Sequence, residues 1–183
     1  MEKCDAGHIC LIGIGRFGLR VLKRARSVGG QTRLVHLDRQ RGLFKLPEEP
    51  NIRQLELEED DLLQLSSVLS GLFSEGEQSR FIIVGGLGGR TTYSLLDPIA
   101  SLCSSYGVEH FCVGVFPFCF EGKARNHQAI SLVRRMEKYT NFKYFDCNLV
   151  VREHNGKINL GVALDSVENI LWAFVLGLLK QGF

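Results

Sequence analysis

The sequence is short of several features, and each shortage narrows what the protein can be. Net charge is nearly absent: 22 lysines and arginines against 20 acidic residues leave +2 over 183 positions. A generic nucleic-acid binder needs a basic face, so that class is excluded. The basic residues that do cluster, Arg20, Lys23, Arg24 and Arg26, have the spacing of one solvated helix face. Long uncharged apolar runs are missing too. The longest, Ile170 to Leu179, is about half of what a bilayer requires, so no membrane partner is expected. No signal-peptide pattern opens the chain, which predicts a cytoplasmic protein. There are no repeats and no low-complexity tract. Metal-ligand spacing is lacking, because Cys4, His8 and Cys10 have no fourth partner. Six cysteines invite a disulfide reading, but Cys10, Cys103, Cys112 and Cys147 lie inside apolar segments. Buried free thiols in a reducing compartment are the better expectation, with Cys4 and Cys119 outside that group.

What is present is alternation. Apolar runs at 8–12, 33–37, 81–84, 110–116 and 143–151 read as strands, and helical patterns at 17–27, 60–73, 91–106 and 123–139 lie between them. Continuous apolar strands separated by helices predict an α/β fold: a three-layer, Rossmann-like, mostly parallel sheet with helices on both faces. The length suits one domain over 1–183, which would bury about 70% of its unfolded surface. Segment 39–50 holds Pro47 and Pro50 and reads as a loop. The acidic run 56–61 reads as a helix N-terminus. His154-Asn155-Gly156-Lys157 reads as a hairpin turn joining 149–153 to 158–162.

In such folds ligands bind beyond the carboxyl ends of the strands. Two glycine loops, Asp38, the segment 117–125 and Asn148 all fall at that edge. The first loop, Gly13-Ile14-Gly15-Arg16-Phe17-Gly18, closes a strand and opens a helix; Gly85-Gly86-Leu87-Gly88-Gly89-Arg90-Thr91-Thr92 repeats the design. Glycines at such junctions let backbone N–H groups approach an anion that the helix dipole also favours. Two such loops in a small chain predict a nucleotide site or its relic.

From Gly86 to Asn148 the sequence resembles the nucleotide-binding domain of the FtsZ/tubulin family. The bacterial pattern opens with GMGGGTGTG, continues to PFxFEGxxR and reaches a strand ending in Pro-Asn. Gly86-Leu87-Gly88-Gly89-Arg90-Thr91-Thr92 takes the first place, and Pro117-Phe118-Cys119-Phe120-Glu121-Gly122-Lys123-Ala124-Arg125 matches the second at every fixed residue. Asn148 falls at the third without a gap, Cys10 to Gly15 is similar to the family's first strand and loop, and 163–171 to the start of its long central helix. The resemblance implies GTP or GDP as ligand and leaves Mg open. By resemblance Gly13, Gly15 and Gly18 line the phosphates, with Gly86, Gly88, Gly89 and Thr91 opposite. Glu121 accepts from ribose hydroxyls, Arg125 lies beside sugar and phosphates, and Asn148 with Glu168 or Asn169 reads the guanine edge. These donor and acceptor types suit those roles. Without the family spacing, Glu121 and Arg125 would be one turn apart at a helix start and simply pair.

The departures matter as much. Arg16 and Phe17 place bulk where the family's backbone approaches phosphate, and an asparagine facing ribose is lost. Two further glycines are gone after Gly89, where Arg90 either contacts phosphate or fills the site. The family's glycine-rich third loop has only Gly71 and Gly76 in its place. The chain stops at Phe183, so the family's second domain and the acidic loop that completes hydrolysis are expected to be absent. A degenerate, non-hydrolysing assembly or regulatory protein, with GTP or GDP affinity weakened or lost, is the reading that follows. Two others stay open. Gly13-x-Gly15-x-x-Gly18 followed twenty residues later by Asp38 fits an NAD-binding Rossmann module, and Gly-Ile-Gly-Arg-Phe-Gly also resembles the first loop of potassium-channel regulatory NAD-binding domains. A non-nucleotide interaction protein on the same scaffold is the third. Finally, Ile170 to Leu179 has no polar stripe, so this helix is expected to leave an apolar patch that a homodimer or a protein partner covers.

Overall fold

The computed structural model describes residues 9–27, 32–39, 49–58, 61–74 and 80–181. Apolar runs too short for helices become strands: β1 (Ile9–Ile14), β2 (Arg33–Arg39), β3 (Arg53–Leu57), β4 (Arg80–Gly86), β5 (His110–Phe116) and β6 (Phe142–Asp146). They form one sheet in the order β3-β2-β1-β4-β5-β6, and every pairing is parallel. Helices cover both faces, as the continuous apolar strands require. One face carries α2 (Leu62–Ser74), α3 (Arg90–Ser105) and α4 (Lys123–Met136), packed on Cys10, Ile12, Phe81 and Ile83. The other carries α1 (Gly15–Ala25), α5 (Cys147–Glu153) and α6 (Leu160–Gln181), packed on Leu11, Ile82, Val84 and Val113. Successive strand residues thus feed opposite cores, the period-two rule of a doubly covered sheet. Both core layers are deeply buried, with Leu11, Ile12, Ile82 and Ile83 fully excluded from solvent.

Three local readings need correction. The acidic run 56–61 does not open a helix at its start: Glu56 and Leu57 belong to β3, an edge strand. Its last member acts as a cap, Asp61 Oδ1 accepting from the Gln64 amide at 2.8 Å. Residues 143–151 are not one strand. β6 ends at Asp146, whose carboxylate accepts from the Asn148 amide at 2.9 Å and starts α5. Residues 154–157 do not make a hairpin turn. Asn155 and Gly156 have positive φ, 51° and 71°, as such a turn demands, but they close α5 instead. Asn155 N–H donates to the Arg152 carbonyl and Gly156 N–H to that of Val151, both at 2.9 Å, which satisfies the helix's terminal carbonyls. The same left-handed pair serves either purpose, so its presence alone could not decide. Cys4 and His8 lie outside the described residues, as does most of 39–50.

The run 170–179 sits inside the 22-residue α6. Among the described residues, α6 is long and apolar enough by length and composition to cross a membrane, with mean hydropathy 1.7 and 22% of that window buried. Ala163, Val167, Leu171 and Val175 make its buried line.

Candidate functional site

The turn from β1 into α1 is closed by backbone contact. A Cβ on Gly13 would stand 2.6 Å from the Gly18 carbonyl oxygen, and one on Gly18 2.4 Å from the Gly13 carbonyl carbon. Both glycines are therefore required for strand and helix to touch. Gly15 has φ +65°, a left-handed conformation that favours glycine. Its carbonyl is 3.0 Å from His36 Nε2, so the buried imidazole must carry its proton there to donate. Burial holds His36 below its ordinary value of 6.5, partly offset by the Gly15 carbonyl and the charge of Asp38. The imidazole is neutral at pH 7.

The second loop is pinned by Leu87, whose amide donates to Val115 O at 2.9 Å and whose side chain lies across Gly114. Gly89 N–H returns to Gly86 O at 3.0 Å. Gly88 abuts the next segment, 3.1 Å from Pro117 Cγ and 3.3 Å from Arg125 Cβ measured from an added Cβ. The two glycine loops then meet each other. Phe17 Cβ is 3.3 Å from where a Cβ on Gly86 would stand, and Thr91 Cβ is 3.6 Å from the equivalent point on Gly15. Thr91 Oγ1 donates to Asp38 Oδ1 at 2.9 Å, and both side chains are buried. That carboxylate oxygen also accepts from the Arg39 amide at 2.9 Å. A hydroxyl and a carboxylate thus join the loops, while Phe17, half-buried beside Gly86, packs on the core of the α6 face. Arg16 and Arg90 stand exposed at the starts of α1 and α3.

At the other end of the edge the polar groups serve the chain itself. Glu121 Oε1 accepts from Phe118 N–H at 2.9 Å, and Oε2 from Arg125 at 2.8 Å. Asn148 braces two segments: its Oδ1 accepts from Cys119 N–H at 2.7 Å, and its Nδ2 donates to Pro117 O at 3.1 Å and Asp146 Oδ1 at 2.7 Å. Segment 117–125 and the start of α5 are thereby tied together. Glu168 and Asn169 are bound elsewhere, to the outer face of α1: Glu168 forms an ion pair with Arg20, and Asn169 Oδ1 accepts from Arg24 at 2.7 Å. Cys147, at this edge, is no nucleophile, since burial and the charges of Glu121 and Asp146 push its thiol up to about 12.

The structure therefore gathers Gly13, Gly15, Gly18, Gly86 and Thr91 at one point, and Gly88, Glu121, Arg125 and Asn148 at a second. Gly89 and Arg90 open α3 between these points, and Glu168 and Asn169 have polar partners on α1. Sequence reasoning missed the pairing of Asp38 with Thr91 and of His36 with Gly15. A signal was present: His36 and Asp38 alternate within an otherwise apolar buried strand, which puts both on one face.

No protein-family model and no curated protein sequence matches the chain. The likeness is in the fold. An empty FtsZ dimer from M. jannaschii superposes with TM-score 0.77 at 18% identity, over 95% of this chain and 55% of that one. CetZ from Methanosaeta thermophila gives 0.67 at 14%, over 97% and 56%. The phage tubulin PhuZ with GDP gives 0.66 at 13%, over 96% and 57%. The chain thus has the fold of the FtsZ/tubulin nucleotide-binding half, and it spans little more than half the length of these structures.

Proposed function

We propose that the chain is a non-hydrolysing assembly or regulatory module on the FtsZ/tubulin fold, its phosphate cradle held shut by its own side chains. The observation that carries this reading is the buried hydrogen bond from Thr91 to Asp38. The hydroxyl that the resemblance offers to a phosphate already has an acceptor, and that acceptor is anionic. A phosphate charge about 5 Å from this carboxylate would be repelled by about 3 kcal/mol at an effective dielectric near 20. Phe17 adds bulk beside Gly86 at the same junction. Glu121, Arg125 and Asn148 would each have to give up an internal partner to reach ribose or guanine. The residues therefore fit a bound nucleotide poorly, and no hydrolytic step is derived. Assembly is the function left to the scaffold, and the FtsZ neighbour is itself a dimer.

One observation favours a second reading. The strand order and Asp38 near the end of β2 also suit a dinucleotide site, where a carboxylate there takes the ribose. A single substitution separates the two, because they assign Asp38 opposite roles. In equilibrium dialysis, Asp38→Asn should bind GDP more tightly than the unaltered protein if the carboxylate closes the cradle. Unaltered protein that binds NAD, with Asp38→Asn abolishing it, would establish the dinucleotide reading instead.

A further inference from the structure

The outward line of α6 runs Val162, Asp165, Asn169, Ala173, Leu176 and Lys180, at spacings of three and four residues. Val162, Asp165, Asn169, Ala173 and Lys180 are exposed and Leu176 is half-buried. This line is the side opposite Ala163, Val167, Leu171 and Val175. Its middle is small and apolar: Ala173 is exposed, and a Cβ on the adjoining Gly177 would meet nothing within 4 Å. Its ends carry opposite charges. The only other charge on α6, Glu168, is already paired with Arg20, whereas among the described residues Asp165 and Lys180 make no ion pair. Four of its residues also exchange in pairs about a point between Trp172 and Ala173. Reversed on itself there, Asp165 falls opposite Lys180, and Asn169 opposite Leu176.

We infer that α6 is a self-complementary surface whose occupant is a second copy of this chain, docked antiparallel about a two-fold axis at Trp172 and Ala173. A two-fold contact requires that the same patch match its own reverse, and the charged pair Asp165 and Lys180 does so about this point. Asp165 and Lys180 are about 22 Å apart along the helix, so each end of the seam holds one Asp165–Lys180 pair between copies. Ala173 and Gly177 let the axes approach to the short end of the usual 8–10 Å, which about a small-residue seam allows. One helix pair makes a small interface, under about 1,200 Å² in total, so the dimer belongs in the micromolar range. Charge is what selects the antiparallel register, because a parallel pair would set Asp165 against Asp165 and Lys180 against Lys180. The inference extends the assembly half of the proposed function. It is tested without nucleotide, so a monomer with a closed cradle fails here alone, and a dimer that binds GDP fails there alone.

The test is sedimentation equilibrium of the full chain from low to high micromolar concentration. Asp165→Lys and Lys180→Asp should each weaken the dimer by about tenfold, since each reversal turns two attractions into two repulsions. The double variant should restore it. The single tryptophan, Trp172, lies at the axis, so its emission should shift to the blue with the same concentration dependence. Cross-linking provides a measurement independent of the charges. In a Cys4→Ser, Cys119→Ser background, oxidation should couple Ala173→Cys protomers, which meet at the axis, and leave Asp165→Cys protomers single. A protein monomeric at high micromolar concentration would overturn the inference. So would a dimer indifferent to both reversals, a double variant that fails to recover, or a helix that binds neutral phosphatidylcholine vesicles in preference to itself.

Discussion

At the residue scale, the buried hydrogen bond from Thr91 to Asp38 joins the start of α3 to the end of β2. Replacing Thr91 by Val keeps the volume but removes the hydroxyl donor from a buried carboxylate. The expected cost is about 1–3 kcal/mol of stability, read as a lower urea midpoint with unchanged slope. An unchanged midpoint would mean that the hydrogen bond does not hold the loops together. His36 makes a second expectation, with a definite sign. Its folded-state proton affinity is depressed, so the unfolded chain takes up a proton that the folded one refuses. Its contribution is complete above the ordinary value of 6.5 and is lost as pH falls from there through the lower folded value. Urea midpoints should drop on acidification from neutral pH, and His36→Gln should flatten that limb. The thiols give a third. Alkylation of the native protein should modify Cys119, which is exposed, and spare Cys10, Cys103, Cys112 and Cys147 until unfolding. Burial pushes the Cys103 thiol up to about 12 and Cys112 in the same direction, so neither offers a thiolate. Rapid labelling of Cys147 would show that the edge opens.

At the scale of elements, glycines that look alike in the sequence do different work. Gly18→Ala drives a methyl into the Gly13 backbone and should cost about 3 kcal/mol or more, because neither chain segment can yield. Gly71→Ala, in α2 with nothing within 4 Å, should instead stabilise by up to about 1 kcal/mol through helix propensity. Denaturant titration of both tests whether the first glycine loop is a packing device; equal effects would contradict it. Asn148 acts similarly as a brace. Asn148→Ala should speed amide exchange at Cys119, whose N–H it accepts, without unfolding the sheet. The elements themselves were largely legible, because buried parallel strands write continuous apolar runs. β3 was not: five residues at a sheet edge, with Glu56 among them and further acids following from Glu58 to Asp61, mimic the acidic start of a helix. The break between β6 and α5 was hidden for a related reason. Apolar residues continue through it, and only the Asp146 side chain turning back to the Asn148 amide ends the strand.

On the scale of the whole molecule, the fold could be read from the order of the elements and from the ungapped spacing of two motifs with Asn148. The state of the site could not. Phe17 and Arg90 were visible as bulk, yet whether they left room depended on how closely two loops approach across the sheet edge. That distance is set by packing at Gly13 and Gly18 in one loop and at Gly86 in the other, which lie far apart in sequence. The most direct test of the account is thermal unfolding of the unaltered protein with GTP, GDP or NAD. A nucleotide at about 1 mM with a Kd near 10 μM would stabilise by about 2.7 kcal/mol, a shift of several degrees. The closed cradle predicts no shift with GTP or GDP at that concentration. A saturable shift with either would contradict it.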